Sequence, residues 1–470
     1  MFDSASFPAC LAAVLVLGLA MGGRVNGQEG NGVRFHTDKK GRKKPILEDP
    51  TGSDSGLDYF SQGGVVVDGI AYFTADQSCS KYWKGKDYPF VVAFDVKTFK
   101  KIRTYPFQDT YDSSPLIVEK RDGTRLILAH EYKKERTVAM NCKTGEVEWI
   151  SAANQPGAYF FGYSYYVRED NSKLIFMACR NGLHALCSET GKDVWWVERK
   201  STGGITPCVD QKRGWVFYQI NRKIMKVRAD DGKVLKETPV ARPSTCISWN
   251  TILVDDAHGY YVATYWLDTL DKDGKTKKLT WNSAIRVYDA DLNLVWERNP
   301  VAGGKKSTIT YVHGKLVMGS GNDRCQYQGT DWKYIPAFSI KTGEFLWKCD
   351  LSEQEYGSIL NVPYAYGSFF AETCGTPGKM FRINASTGAL QEVIDYGAAI
   401  GSCAPCIIAH GKILSGDLRR DGIVATLIAE NAHGDWPGPF CNPQTKTYAL
   451  PDDPKAKPVP MKEVYVGVRE

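Results

Sequence analysis

One short pattern recurs along this chain of 470 residues. The sequence reads CKTGEVEW at residues 142–149, SETGKDVW at residues 188–195 and IKTGEFLW at residues 340–347. Less regular versions occur at residues 93–105, 226–236, 287–296 and 382–392. In each version an alternation of apolar and polar residues leads into a polar turn, and a second alternation follows. Because glycine adopts the positive φ that such a turn needs, each copy predicts a β-hairpin.

The spacing of the copies predicts the architecture. The steps between turn positions are 46, 46, 41, 60, 51 and 45 residues, measured between Phe99, Gly145, Gly191, Gly232, Leu292, Gly343 and Gly388. Two more apolar segments precede the hairpins, as in residues 113–130, 206–220 and 403–417, so each unit has four antiparallel strands. A repeat of this length with four strands is typical of one β-propeller blade. We therefore expect an all-β protein.

The number of blades follows from the hairpins and from the segment after them. Seven hairpins are marked, and an eighth set of strands occupies residues 404–431 without a Thr-Gly hairpin of its own. The predicted fold is an eight-bladed β-propeller of four-stranded antiparallel blades, and seven blades is the alternative. Since a closed ring must not leave strand edges open, we expect residues 56–62 to supply the outer strand that the eighth blade lacks.

The pattern Ala-x-x-x-x-Thr-Gly-x-x-x-Trp, within about residues 60–430, resembles the repeats of the pyrroloquinoline-quinone-like β-propellers. That superfamily includes quinoprotein dehydrogenases and a non-catalytic outer-membrane assembly lipoprotein. The resemblance implies that a tryptophan of one blade docks against the turn glycine of a neighbouring blade, and the implied residues are Trp149, Trp195, Trp296 and Trp347. Less regular docking is expected for blades 1, 4, 5 and 7, where the pattern is broken by Phe99, Lys236, Leu292 and Glu392. Such a repeat indicates fold and says little about function.

The N-terminal segment predicts export. Residues 8–22 are an apolar run too short to span a bilayer, and small residues follow it, so residues 1–27 are interpreted as a secretory signal peptide, with a retained anchor as the alternative. Residues 28–55 are expected to be a basic flexible leader, residues 56–431 the propeller, and residues 432–470 a proline-rich tail packed on it. We expect a secreted or periplasmic protein with no transmembrane segment in the mature chain.

Composition restricts the class of partner. The formal net charge is +6 at pH 7, which is only mildly basic and does not indicate nucleic acid binding. Twelve of the 13 cysteines would remain after removal of the signal peptide, which contains Cys10. We expect a monomer that binds an extracellular protein or an acidic polysaccharide.

Three long insertions carry the candidate binding residues. In a four-stranded blade the second turn lies at one face of the ring, and residues 75–90, 266–283 and 321–335 all occupy second turns. Because aromatic rings stack on sugars and cations attract acidic groups, the insertions predict binding of an acidic glycan or protein. The alternative is that the aromatic residues only pack the loops. The candidates are Tyr82, Trp83, Lys84, Trp266, Trp281, Arg324, Trp332 and Lys333.

Other candidate sites lie outside these insertions. Tyr163 belongs to an aromatic patch at residues 157–169, where strand alternation turns one set of tyrosines towards the channel or else into the core. Cys325 and Cys374 lie in or near second turns of neighbouring blades and are a disulfide candidate. Asn384 starts the chain's Asn-x-Ser sequon and is a glycosylation candidate. Three histidines occupy equivalent first turns and are interpreted as turn residues: His258, His313 and His410.

Motifs for redox chemistry are incomplete. The chain has no adjacent cysteine pair and no CxxCH haem attachment site, and the calcium-binding carboxylates of quinoprotein dehydrogenases match no position. No cofactor is therefore predicted; pyrroloquinoline quinone with calcium is the alternative. The sequence favours a binding or scaffolding module. The alternative function is a polysaccharide-acting enzyme or a quinoprotein oxidoreductase that uses the loop-rich face.

Overall fold

The fold is taken from a computed structural model of the chain. It describes residues 34–37, 43–46, 62–74, 91–107, 114–131, 134–152, 154–156, 162–199, 206–220, 223–239, 251–268, 282–301, 308–319, 333–354, 356, 358–374, 378–396, 406–417, 422–436, 442–447 and 449–466.

The chain divides into two units, Met1–Ser55 and Gly56–Glu470. In the first unit, β1 (Arg34–Thr37) pairs antiparallel with β2 (Lys43–Ile46). These two strands lie within residues 28–55, the segment interpreted as a basic flexible leader.

The second unit contains eight antiparallel sheets, which confirms the eight-bladed prediction. Blade 1 comprises β3 (Gln62–Val67), β4 (Ile70–Thr74), β5 (Val91–Asp95) and β6 (Lys101–Tyr105). Blade 2 comprises β7 (Leu116–Glu119), β8 (Arg125–Glu131), β9 (Arg136–Asn141) and β10 (Val147–Ile150). Blade 3 comprises β11 (Ser164–Val167), β12 (Lys173–Cys179), β13 (Gly182–Cys187) and β14 (Asp193–Glu198). Blade 4 comprises β15 (Cys208–Asp210), β16 (Trp215–Ile220), β17 (Lys223–Arg228) and β18 (Val234–Pro239).

The other four blades follow in chain order. Blade 5 comprises β19 (Thr251–Asp256), β20 (Gly259–Asp268), β21 (Asn282–Tyr288) and β22 (Leu294–Val301). Blade 6 comprises β23 (Ile309–Val312), β24 (Lys315–Met318), β25 (Tyr334–Ser339) and β26 (Phe345–Asp350). Blade 7 comprises β27 (Ser358–Asn361), β28 (Tyr364–Ala365), β29 (Ser368–Cys374), β30 (Lys379–Asn384) and β31 (Leu390–Asp395). Blade 8 comprises β32 (Ile407–Ala409), β33 (Lys412–Asp417), β34 (Gly422–Glu430) and β35 (Lys457–Val466).

The first strand of each blade borders the axis of the ring. First strands of neighbouring blades contact one another in several places, for example β15 with β19 and β19 with β23. The contact between β32 of blade 8 and β3 of blade 1 closes the ring. In blade 7 the first strand is divided into β27 and β28, and Pro363, which has no N–H to give to a ladder, lies between the two parts.

Ring closure differs from the prediction. Residues 56–62 were expected to supply the outer strand of blade 8, but Gln62 begins the inner strand of blade 1. The outer strand of blade 8 is instead β35, which pairs with β34 over Val424↔Val466 and Glu430↔Lys457. The expectation was wrong because β35 follows a non-repetitive segment and carries no Thr-Gly hairpin that would mark it in the sequence.

The tryptophan docking implied by the resemblance is confirmed. An added Cβ on Gly191 would lie 2.3 Å from Cε3 of Trp149, and Nε1 of Trp149 donates to the carbonyl of Ser188 at 2.8 Å. The same contact joins three further pairs of residues on neighbouring blades: Trp195 with Gly232, Trp296 with Gly343, and Trp347 with Gly388. A side chain at these glycines would collide with an indole, and each glycine also has positive φ.

Blades that depart from the pattern dock by other contacts. Arg103 of blade 1 takes the place of a tryptophan, and its Nη1 donates to the carbonyl of Thr144 at 2.7 Å. At the closing seam Tyr465 of blade 8 stacks on Phe99 of blade 1, with ring centroids 4.3 Å apart and planes 6° apart. Phe99 occupies the glycine position of the turn and has a φ of 58°. The less regular docking predicted for blade 1 is therefore observed.

The core lies in the layers between successive blades. One such layer contains Ile252 and Ala263 of blade 5 packed with Leu316 and Met318 of blade 6, all fully buried. Each sheet thus buries both of its faces. This explains why the sequences of the inner strands are nearly continuous runs of apolar residues. The residues described above include no helix with the length and apolar character of a membrane span.

Candidate functional site

The three insertions begin and end at one face of the ring. Each joins the second strand of a blade to the third: β4 to β5, β20 to β21, and β24 to β25. In an antiparallel sheet the second turn lies opposite the first and third turns. We call the side of the ring with the second turns the second-turn face, and the opposite side the first-turn face. The predicted placement of all three insertions on one face is confirmed by this topology.

Most of the candidate residues on the insertions lie outside the described residues. This holds for Tyr82, Trp83, Lys84, Trp281, Arg324 and Trp332, and for Cys325 of the proposed disulfide. Trp266 is placed in β20, and Lys333 is a partly exposed residue immediately before β25. Their roles in binding stay predictions.

The base of the blade 6 insertion combines an aromatic ring with a cation. Nζ of Lys348 lies 5.6 Å from the ring centroid of Tyr334, which follows Lys333 at the start of β25. Burial raises the pKa of Tyr334, so its hydroxyl is protonated at neutral pH. The ring of this pair belongs to the end of the insertion, and the cation comes from the outer strand β26.

Tyr163 lies in the core between blades 2 and 3. It is 1% exposed, and its hydroxyl donates to Oγ1 of Thr137 at 3.3 Å. Thr137 Oγ1 also donates to Oε1 of Gln155 at 2.9 Å. Burial raises the pKa of Tyr163. Of the two alternatives for this tyrosine, the geometry favours core packing, and its carbonyl serves as an acceptor inside the ring.

The C-terminal segment pairs with inner strands of the ring near their first turns. Residues 432–436, 442–447 and 449–456, which we call the strap, meet the inner strands of several blades through backbone hydrogen bonds. Inner-strand N–H groups that donate to strap carbonyls come from Val66, Val209, Leu253 and Tyr311 of blades 1, 4, 5 and 6. Without the strap, the open edge of an inner strand would leave these backbone N–H groups unpaired. Because a buried unpaired N–H group costs free energy, the hydrogen bonds to the strap stabilise the ring.

Two first-turn histidines attach the strap by their side chains. Nε2 of His410 lies 3.0 Å from Oδ1 of Asp435, and Nε2 of His313 lies 3.0 Å from Oδ2 of Asp452. The hydroxyl of Tyr364 donates to Asp452 at 2.6 Å. The interpretation of these histidines as turn residues holds, since both have positive φ, but it missed their contact with the strap.

Lys446 of the strap contacts the core between blades 2 and 3. It is fully buried, and its Nζ donates to the carbonyl of Tyr163 at 2.7 Å. Burial lowers the pKa of Lys446 to about 7, although the nearby thiol of Cys208 acts in the opposite direction. This low pKa is consistent with the free-energy cost of transferring a charged ammonium group from water into a buried site.

A buried carboxyl lies between blades 7 and 8. Glu372 on β29 is 5% exposed, and burial raises its pKa to about 7, while Ser415 and Cys406 act to lower it. Its Oε1 accepts no hydrogen bond among the described residues. Nearby, the hydroxyls of Tyr396 and Thr426 lie 2.6 Å apart. In the described part of the chain, no group of three His, Cys, Asp or Glu side chains is arranged to hold a metal ion.

The disulfide and glycosylation candidates stay predictions. Cys374 is the last residue of β29, next to the second turn of blade 7. Asn384 ends β30, and its Oδ1 accepts hydrogen bonds from the backbone N–H groups of Ser386 and Thr387. Asn141 makes the same pair of bonds at the equivalent turn of blade 2, so turn geometry by itself accounts for an asparagine at this position.

Sequence reasoning missed the strap because nothing in residues 432–456 repeats. The segment was expected only as a proline-rich tail on the propeller surface. The signal that could have indicated its position is the absence of a fourth strand in blade 8, which requires the chain to return to the ring after residue 431.

Two solved structures align with this chain. One is the crystal structure of BamB from Moraxella catarrhalis, which is 13% identical, covers 78% of this chain and 98% of its own, and has a TM-score of 0.49. The other is dihydro-heme d1 dehydrogenase NirN in complex with DHE, which is 12% identical, covers 86% of this chain and 75% of its own, and has a TM-score of 0.49. No family model and no curated protein matches the sequence.

Proposed function

We propose that this protein is an exported propeller that binds an acidic extracellular polymer, foremost an acidic polysaccharide, on its second-turn face. The observation that supports this most is the difference between the two faces. All three aromatic and basic insertions start from the second-turn face. On the first-turn side, the inner strands of blades 1, 4, 5 and 6 instead pair with the strap.

The chemistry of the insertions favours an acidic ligand. Tryptophan and tyrosine rings offer flat apolar faces for sugar rings, and lysine and arginine attract carboxylate or sulfate groups. Binding to such a surface is expected to weaken as salt rises, because screening shortens the range of the attraction to about 8 Å at physiological ionic strength.

Binding to an immobilised acidic polysaccharide tests the proposal. The mature chain is passed over immobilised heparin and over a neutral polymer, at low and at physiological salt. We expect retention on the acidic polymer that falls with salt and little retention on the neutral polymer. Absence of retention at low salt, or retention that does not depend on the charge of the polymer, contradicts the proposal.

A further inference from the structure

An exposed tryptophan lies on the outer strand of blade 3. Trp196 follows the docking residue Trp195 on β14 and is 43% exposed. Its cross-strand partner is His184 on β13, close to the second turn of the blade. Trp196 therefore lies towards the second-turn face, on the same side of the ring as the three insertions. The equivalent residue of blade 2, after Trp149, is Ile150, which is 45% exposed.

Contacts with the protein hold the indole of Trp196 in one orientation. One ring face stacks on the buried imidazole of His184, with centroids 5.3 Å apart and planes 13° apart. Nε1 donates to the carbonyl of Asn181 at 3.1 Å. Gly182 makes room for this arrangement, because an added Cβ would lie 2.9 Å from Nε1 of Trp196. An exposed side chain fixed in this way loses little conformational entropy when it binds a ligand.

Polar groups surround the histidine below the indole. Nδ1 of His184 lies 3.0 Å from Oδ1 of Asp193, and Nε2 lies 3.0 Å from Oδ1 of Asn181. The amide orientation of Asn181 is fixed, since its Nδ2 donates to the carbonyl of Asn154 at 2.7 Å. Both ring nitrogens of His184 thus have polar partners, which fix the orientation of the imidazole under the indole.

Asp193 and Asn154 form a polar edge beside this stack. Nδ2 of Asn154 donates to Oδ2 of Asp193 at 3.0 Å, and Asp193 has a quarter of its side chain exposed. Burial alone would raise the pKa of Asp193, but the hydrogen bonds from His184 and Asn154 hold it below its ordinary value. The carboxylate is therefore ionised at neutral pH and able to accept hydrogen bonds from hydroxyl groups.

We propose that Trp196, Asp193 and Asn154 form a subsite for a neutral pyranose residue at the outer edge of blade 3, where Trp196 lies on the side of the second-turn face. This subsite rests on the proposed function, and it would take a neutral sugar of the polymer whose acidic residues meet the insertions. The indole of Trp196 supplies a flat apolar surface for the C–H groups of the sugar ring. The carboxylate of Asp193 accepts hydrogen bonds from sugar hydroxyls, and the amide of Asn154 donates hydrogen bonds to them. The ionised Asp193 repels an acidic sugar here, so the subsite discriminates between the two kinds of residue.

Saturation-transfer NMR with small glycosides tests the subsite. The probes are the methyl glycosides of glucose, galactose and N-acetylglucosamine, with methyl glucuronide as the acidic counterpart. We expect at least one neutral glycoside to bind, and to bind more tightly than the glucuronide. The substitution W196A should weaken this binding about tenfold, which corresponds to about 1.4 kcal/mol. W196F, which keeps an aromatic face, should weaken it less.

The control is I150A, which removes an equally exposed apolar side chain at the equivalent position of blade 2. It should bind the neutral glycoside as the wild type does, and melting curves of all variants check that each is folded. Lack of neutral glycoside binding by the wild type, or equal binding by folded W196A, overturns the subsite. If the wild type is retained on heparin while W196A binds glycosides unchanged, the subsite fails and the proposed function stands. If heparin retention is absent but W196A loses glycoside binding, the proposed function fails and the subsite is supported.

Discussion

Tyr465 in the last strand stacks on Phe99 in the first blade, with ring centroids 4.3 Å apart and planes 6° apart. This contact joins residues from opposite ends of the propeller at the position where other blades place a tryptophan against a glycine. Phe99 lies at the glycine position of its turn. Blades 8 and 1 are therefore joined by a pair of stacked aromatic rings, in place of the contact between an indole and a glycine that joins other blades. The C-terminal strand therefore closes the ring in two ways, by completing blade 8 and by docking on blade 1.

Removing the seam contact should destabilise the whole ring. Tyr465 is 8% exposed, and the substitution Y465A deletes a large buried ring. We expect a loss of about 3 kcal/mol in the free energy of unfolding, the range found for buried aromatic residues changed to alanine. Urea denaturation measures it. Y465F, which keeps the stacked ring, should cost less than about 1 kcal/mol, and an equal loss in both variants would show that stacking on Phe99 is not what stabilises the seam.

The docking of Trp149 on Gly191 can be separated from the strain of the turn. Gly191 and Gly123 both have positive φ, but a Cβ on Gly191 meets Trp149 at 2.3 Å whereas a Cβ on Gly123 meets no atom within 4 Å. G123A should cost about 1–2 kcal/mol for the backbone conformation. G191A should cost a further 1–3 kcal/mol, roughly, for overpacking. Thermal or urea unfolding compares them, and similar losses in the two variants would argue against a tight indole contact.

Glu372 should make stability fall as pH rises. Burial raises its pKa from 4.5 in the unfolded chain to about 7, so the folded state binds the proton more tightly. Between these two pH values the folded state holds more protons than the unfolded state, and the free energy of unfolding decreases with pH, on the order of 3 kcal/mol in total. The variant E372Q lacks this titration. The difference between wild type and E372Q, measured by urea unfolding from pH 4.5 to 8, should follow this curve, and a difference independent of pH would refute it.

Lys446 should have the opposite effect at higher pH. Burial lowers its pKa from 10.5 to about 7, so between these values the unfolded chain binds the proton and the folded protein does not. The free energy of unfolding contributed by Lys446 should therefore rise from pH 7 to pH 10.5, by about 5 kcal/mol in total. K446M keeps the length of the side chain without the amine. The free energy of unfolding of K446M, relative to that of the wild type, should decline from pH 7 to pH 10.5. If the two free energies change with pH in parallel, the amine does not titrate as described.

The fold was predictable where local sequence repeats. Each Thr-Gly turn requires positive φ, and each alternation requires a strand, so residues within a few positions of each other specify a hairpin. The docking of Trp149, Trp195, Trp296 and Trp347 followed from the resemblance. The closing strand β35 was not predictable in this way, because its pairing with β34 is fixed by the open edge of blade 8 and not by any local pattern.

The candidate site was predictable only in part. The second-turn position of the insertions follows from strand order, which the repeats gave correctly. The stack of Trp196 on His184 could not be foreseen, because it depends on the register between β13 and β14 and on the shift in that register near Ala185. The burial of Lys446 depends on contacts between residues almost 300 positions apart, such as its bond to Tyr163.

The central claim is that the second-turn face binds an acidic polymer, and a pair of charge-reversed variants tests it most directly. K84E/R324E/K333E changes three cations of the insertions, whereas K143E/K192E/K341E changes three exposed lysines in third turns of the opposite face, with the same change in net charge. Retention on immobilised heparin at low salt is compared for both. The account predicts that the first variant loses retention and the second keeps most of it. Equal loss in both variants, or greater loss in the second, would contradict it.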